Sequence, residues 1–176
     1  MEMKLTHVGL YVQDLDAMAD FYKSVMGFTE TDRGMLNGRN LVFLSRDPGE
    51  HHQLVLASGL KAPPVEEIIN QISFRVPDLE TVMAFNERVA ALDVADRKPI
   101  NHGNAWSVYF RDPENNRLEV YAPSPWYVTQ PCRVPLQMDK TADEIRRDTE
   151  RWCREQPGFA PAAVFEARIA ALMTAV

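Results

Sequence analysis

The 176-residue chain is predicted to be α+β, with two tandem βαβββ units forming a curved mixed sheet cup and a C-terminal helical extension. Three observations predict it. The segment Thr6-His-Val-Gly-Leu-Tyr-Val-Gln-Asp-Leu-Asp lies over Asn70-Gln-Ile-Ser-Phe-Arg-Val-Pro-Asp-Leu-Glu without a gap, at an offset of 64 residues. An Arg-Asp-Pro turn recurs later in each copy, beginning at Arg46 and at Arg111. After about Pro123 the repeat stops, and Pro125, Pro131 and Pro135 punctuate the chain before two helical patterns.

Each element follows from local pattern. Val8, Leu10 and Val12 alternate with less apolar residues, as a half-buried strand requires, and Ile72, Phe74 and Val76 repeat the pattern. Asp14 and Asp78 stand where a carboxylate caps a helix, and an amphipathic helix of about a dozen residues follows each. Phe21 and Val25 of the first helix match Phe85 and Val89 of the second. Weaker second strands are expected at 29–32 and 94–97. Third and fourth strands flank the Arg-Asp-Pro turns: 42–45 with 52–57, and 108–111 with 118–122. Lys61-Ala-Pro-Pro reads as the linker, giving modules of about 4–60 and 67–123 within a domain of residues 1–123.

Residues 124–176 are then a proline-rich segment and a helical tail, packed on the domain or on a partner subunit. Thr141-Ala-Asp-Glu144 has capping-box spacing, and the helix after Pro161 aligns Phe165, Ile169, Leu172 and Met173 on one side.

Composition narrows the function. A net charge of −6, without a basic cluster, argues against nucleic acid. The longest apolar stretches, such as 169–176, are too short for a membrane span, and the acidic start Met1-Glu2 lacks a signal-peptide layout. A cytoplasmic location is expected. Cys132 and Cys153 have no CxxC spacing, so neither a disulfide framework nor a zinc knuckle is implied.

Alternation also assigns the opposite face. With Val8, Leu10 and Val12 toward the helix, His7, Gly9 and Tyr11 point away from it; Gln71, Ser73 and Arg75 do so in the second copy. On the last strands, Gln53 and Val55, and Glu119 and Tyr121, take that face. Four polar groups, His7, Gln53, Gln71 and Glu119, thus occupy equivalent places in the two units. Imidazole, carboxylate and amide oxygen are competent ligands for a divalent cation such as Fe, Mn, Ni or Zn. The alternative for the glutamines is a pair of amides hydrogen-bonding in a polar cavity. Arg75 on this face needs a partner, either Glu119 or an anionic substrate. Trp106, Trp126 and Tyr127 line an aromatic pocket or pack the core and tail.

These residues resemble the vicinal oxygen chelate superfamily, which includes glyoxalase I, bleomycin and fosfomycin resistance proteins and extradiol ring-cleaving dioxygenases. The resemblance covers about residues 4–123. It rests on the Thr6 to Asp16 segment with Phe21-Tyr22 and Met26-Gly-Phe28, on Asn101-His-Gly103, and on Arg111-Asp-Pro-Glu-Asn-Asn-Arg-Leu-Glu-Val-Tyr121. Within the family, His51-His-Gln-Leu-Val-Leu-Ala57 is most similar to the extradiol dioxygenases.

That likeness implies His52 as the acid/base histidine and His7, Gln71 and Glu119 at the Fe(II) ligand positions. It implies Tyr109, ten residues before the glutamate, near substrate, and His102 as a supporting or substrate contact. Gln71 departs from the pattern, because a ring-cleaving member has histidine there and an amide oxygen is the weaker ligand. Some glyoxalase I enzymes use glutamine on a first strand, and Gln53 stands at their other ligand position.

The resemblance therefore implies a metal-dependent, extradiol-type dioxygenase acting on a catechol or other vicinal-oxygen aromatic substrate. The alternatives are a glyoxalase- or epimerase-like enzyme and a non-catalytic protein that binds a small molecule. Fe(II) is the expected metal, with Mn, Ni or Zn as alternatives, and a homodimer is one arrangement open to the tail.

Overall fold

The computed structural model describes residues 3–63 and 68–174. Pro64 of the expected linker, the Met1-Glu2 start and the last two residues of the tail lie outside the described residues. The described chain is α+β, and by its contacts it divides into two units, 1–70 with 112–116, and 71–111 with 117–176.

The first unit contains β1 (Val8–Val12), α1 (Leu15–Ser24), β2 (Thr29–Leu36), β3 (Arg39–Ser45) and β4 (Leu54–Ser58). Its sheet order is β1-β4-β3-β2, with β1 parallel to β4 and the other pairs antiparallel. The Asp14 carboxylate accepts the Ala17 N–H at 3.0 Å, so the expected cap forms and satisfies an otherwise orphaned donor. Met18, Ala19 and Tyr22 of α1 are buried, as are Leu10, Val12, Val42, Leu44, Leu54 and Leu56 of the strands. Each large apolar side chain removed from water this way contributes about 1.5–3 kcal/mol.

The second unit contains β5 (Ile72–Arg75), α2 (Leu79–Ala91), β6 (Lys98–Asn101), β7 (Ala105–Arg111) and β8 (Arg117–Pro123). Its pairing repeats that of the first: β5 is parallel to β8, and β8-β7-β6 are antiparallel. Asp78 caps α2 as Asp14 caps α1, accepting the Thr81 N–H at 2.9 Å. The duplicated sequence therefore yields duplicated topology.

Two strands differ from expectation. The second strand of the first unit runs to Leu36, well beyond position 32. In the second unit 94–97 is not a strand; β6 begins at Lys98. Asp93 and Asp96 adopt positive φ (50° and 56°), and such a conformation cannot continue an extended chain, whatever the β propensity of Val94.

The segment after Pro123 is built onto the second unit. It comprises β9 (Trp126–Tyr127), β10 (Val134–Pro135), α3 (Ala142–Arg154), β11 (Ala160–Pro161) and α4 (Ala162–Thr174). Strand β10 extends the sheet at β6, giving the order β10-β6-β7-β8-β5, and β11 pairs with β9. The capping box is realised: Thr141 and Glu144 each bond the other's backbone N–H. Thr149 of α3, 1% exposed, accepts from Asn101 Nδ2 and Trp106 Nε1, both at 2.9 Å. Tyr127 stacks on Phe165 with ring centroids 4.0 Å apart. Trp106, Trp126 and Tyr127 are thus used for core and tail packing, because Trp106 also meets Trp126 edge to face.

Candidate functional site

In the first unit the polar residues gather where β1 begins and where β3 turns into β4. His7 immediately precedes β1, is exposed, and lies with its ring centroid 4.5 Å from that of His52. Its Nδ1 is 3.2 Å from the Thr6 hydroxyl, which leaves Nε2 for another partner. His52 and His51 follow the Arg46-Asp47-Pro48 turn, and Phe43 of β3 lies against both rings, at 5.5 Å from His51 and 5.2 Å from His52. The His52 pKa is lowered from the usual imidazole value, first by burial and then by the neighbouring His7 and His51.

Gln53 takes a different part. Its Oε1 accepts the Arg46 N–H at 2.9 Å, closing the turn that carries the histidines and keeping one lone pair. Asp47 holds the same turn by accepting the Gly49 N–H at 2.8 Å.

In the second unit Glu119, on β8, is 6% exposed. Gln71 Nε2 donates to its Oε2 at 2.8 Å, Ser73 Oγ donates to the same oxygen at 2.5 Å, and Ser107 Oγ donates to Oε1 at 2.7 Å. The register explains the cluster, because Ser73 pairs with Glu119 across the parallel β5–β8 ladder and Ser107 is two residues from Tyr109, its antiparallel partner. Among the described residues no lysine or arginine forms an ion pair with this carboxylate. A buried carboxylate held only by neutral donors is left to attract a cation.

Tyr109 and His102 complete this group. His102 Nδ1 lies 2.9 Å from the Cys132 carbonyl, which can only accept, so that nitrogen carries the proton. In the neutral ring Nε2 then accepts from the Tyr109 hydroxyl, at 3.0 Å. The phenol pKa is raised, chiefly by burial and then by the nearby Glu119. The Arg117 guanidinium lies over the Tyr109 ring, 4.5 Å from its centroid. Gly103 positions the His102 turn: its φ is 79°, and a Cβ there would lie 2.6 Å from Val128 Cγ2. A cavity of about 310 Å³ in this unit is lined by Ser73, His102, Asn104, Tyr109, Glu119 and Tyr121, among others.

Of the expected site residues, Gln71 is bonded to Glu119 and Tyr109 to His102 in the second unit, while the His7 ring lies against that of His52 in the first. Arg75 is exposed, contrary to the expectation that it is buried against Glu119 or a substrate, and the Glu119 oxygens are occupied by Gln71, Ser73 and Ser107 instead. Ser107 is not among the expected site residues, although strand alternation puts it on the same face as Tyr109. The Cys132 carbonyl carries no sequence signal.

The donor chemistry fits a divalent cation. Gln71 spends its NH2 on Glu119 and Ser73, keeping its carbonyl oxygen, and Glu119 Oε1 accepts a single hydrogen bond and retains a lone pair. Imidazole, carboxylate and amide oxygen suit Fe, Mn, Ni or Zn. Among the described residues no three His, Cys, Asp or Glu side chains are grouped to hold a metal. With glutamine at 53 and 71, the expected set has only two residues of those types, His7 and Glu119.

Comparison with known proteins adds a family. The profile of the Glyoxalase/Bleomycin resistance protein/Dioxygenase superfamily matches residues 4–120. Biphenyl-2,3-diol 1,2-dioxygenase 3 of Rhodococcus globerulus is 27% identical over 122 residues, covering 66% of this chain and 62% of that protein. Biphenyl-2,3-diol 1,2-dioxygenase 2 of the same organism is 27% identical over 124 residues, covering 66% and 61%. The match thus spans a little over three fifths of each of these relatives.

Among solved structures, a glyoxylase/bleomycin resistance protein/dioxygenase domain from Frankia sp. EAN1pec aligns with a TM-score of 0.61 at 23% identity, covering 70% of this chain and 99% of that one. The fosfomycin resistance protein FosX of Listeria monocytogenes, complexed with Mn(II) and sulfate, aligns at 0.56 and 24% identity, covering 70% and 95%. These likenesses concern the fold. Among the described residues no helix is long and apolar enough to cross a membrane.

Proposed function

This chain belongs to the glyoxalase/bleomycin resistance protein/dioxygenase superfamily, and from that premise we propose that it is a metal-dependent, extradiol-type dioxygenase acting on a catechol or related vicinal-oxygen aromatic compound. The observation that carries the proposal is the composition of the two polar groups. His52 beside His7 in one unit, and Tyr109 with His102 around a buried Glu119 in the other, supply the residue types that such chemistry needs. The similarity to two biphenyl-2,3-diol 1,2-dioxygenases supports the same reading.

In this proposal His7, Gln71 and Glu119 hold the cation, with Fe(II) as the metal and Mn, Ni or Zn as alternatives. Gln53, whose oxygen also serves the Arg46 amide, would be a fourth ligand through its remaining lone pair. The bound cation would supply charge stabilisation and a template for two adjacent substrate oxygens. His52 moves the substrate proton: its lowered pKa keeps the ring neutral, and so able to accept, at neutral pH. Tyr109, whose raised pKa keeps it a phenol, offers its oxygen as an acceptor to the substrate from the cavity wall, with its proton held by His102.

A second reading is favoured by Gln71: an amide ligand suits a glyoxalase- or epimerase-like enzyme, in which a bound cation would supply charge stabilisation for proton transfer beside a carbonyl. A non-catalytic small-molecule carrier is the third. A cytoplasmic protein, free or as a homodimer, is consistent with each.

Metal analysis of protein purified without chelator, followed by oxygen uptake on a catechol panel, separates them. Bound iron with oxygen consumption supports the dioxygenase; metal without oxygen consumption supports the second reading; neither metal nor turnover supports the carrier.

A further inference from the structure

Asp32, His51 and His52 form a hydrogen-bonded series within the first unit. His51 Nε2 lies 3.1 Å from Asp32 Oδ2, and His51 Nδ1 lies 2.9 Å from His52 Nδ1. The two rings are perpendicular, with centroids 5.2 Å apart, and Phe43 lies against both.

The backbone arranges this by an irregularity. Between β2 and β3, Glu30 pairs with Leu44 but Asp32, not Thr31, pairs with Phe43. The extra residue shifts the alternation, and Asp32 joins the face of the sheet that carries Phe43. Val42 and Leu44 are buried on the other face, toward α1. A regular ladder would have put the hydroxyl of Thr31 opposite Phe43 and turned the carboxylate away.

The direction of the hydrogen bonds follows from the donors each group possesses. An ionised carboxylate can only accept, so His51 Nε2 carries a proton. In a neutral ring Nδ1 of His51 is then the acceptor, and His52 Nδ1, 2.9 Å away, must donate. A neutral His52 has one N–H, so its Nε2 bears the lone pair. Free neutral histidine prefers the opposite tautomer, and the tautomer at each ring is set by the bond its other nitrogen makes.

We infer that Asp32 and His51 are positioning residues that fix His52 in the Nδ1–H tautomer and leave Nε2 as its proton-accepting atom. The consequence for catalysis rests on the proposed role of His52; the tautomer does not. Asp32 works through His51, which orients the second imidazole, and neither needs to touch substrate. His51, the neighbour of the expected acid/base histidine, thereby acquires a defined task.

The test is long-range proton–nitrogen NMR of metal-free protein with labelled histidine, at about pH 8, above the usual imidazole pKa of about 6.5. The wild type is expected to show His52 protonated at Nδ1. His51→Ala is expected to return His52 to the Nε2–H form, and Asp32→Ala to mix the two forms. A wild-type His52 protonated at Nε2, or three identical His52 patterns, would overturn the inference. If the tautomer pattern follows expectation but wild-type protein loaded with Fe(II) consumes no oxygen with catechol, the dioxygenase reading fails and the positioning role stands.

Discussion

Gln71 donates through Nε2 to Glu119 Oε2 at 2.8 Å, so the amide and the carboxylate that sequence alternation placed on one face are direct partners. That contact orients the Gln71 carbonyl oxygen away from the carboxylate and makes it available as a ligand. If Gln71 is a ligand, exchanging its amide oxygen for an imidazole tightens iron binding, since imidazole is the stronger donor. Gln71→His is therefore expected to lower the Fe(II) dissociation constant about tenfold or more, equivalent to about 1.4 kcal/mol. Competition with a chromogenic chelator measures it, and an unchanged constant removes Gln71 from the ligand set.

Ser107 is fully buried and donates to Glu119 Oε1 at 2.7 Å. Ser107→Ala removes the hydrogen bond to that oxygen from a carboxylate that is 6% exposed. A loss of about 1–3 kcal/mol in urea unfolding of metal-free protein is expected. A loss below about 0.5 kcal/mol would mean that the carboxylate finds another donor.

Gly103→Ala meets two obstacles, a positive φ and a Cβ 2.6 Å from Val128 Cγ2. The expected cost is about 1–3 kcal/mol. Because the turn carries His102, near-ultraviolet circular dichroism from Tyr109 is expected to change with it; full retention of both stability and spectrum would contradict this account of the turn.

The lowered pKa of His52 has a signed effect on stability. Between its folded value and the ordinary 6.5 the unfolded chain binds more protons, so metal-free protein loses stability as pH falls through that window and recovers it above about 6.5. His52→Gln is expected to flatten the slope of the urea midpoint against pH just below about 6.5. An unaltered slope assigns the titration to other groups.

Legibility followed the length scale of the interaction. Alternation and the Asp14 and Asp78 caps are encoded within a few residues, so β1, α1, β5 and α2 are readable almost to their ends. The β6 strand was misplaced because positive φ at Asp93 and Asp96, which ends one extended path and starts another, has no strong signature in aspartate. Gln71 and Glu119 are assigned to one face by the period of two, whereas Tyr109 and His102 enter only through the family resemblance. The fate of the Gln53 oxygen, the Cys132 carbonyl beneath His102 and the bulge that turns Asp32 toward His51 depend on atoms rather than on residue types. Arg75 was expected inside for its parity alone; β5 leaves it exposed.

The proposal stands on cation binding by His7 and Glu119, and metal stoichiometry measured by mass spectrometry on protein purified without chelator tests it most directly. Bound divalent metal is expected in the wild type and its loss from both His7→Ala and Glu119→Ala, with His52→Ala retaining metal but not turning over catechol. Equal metal content in the wild type and all three variants, or none in any of them, would contradict it.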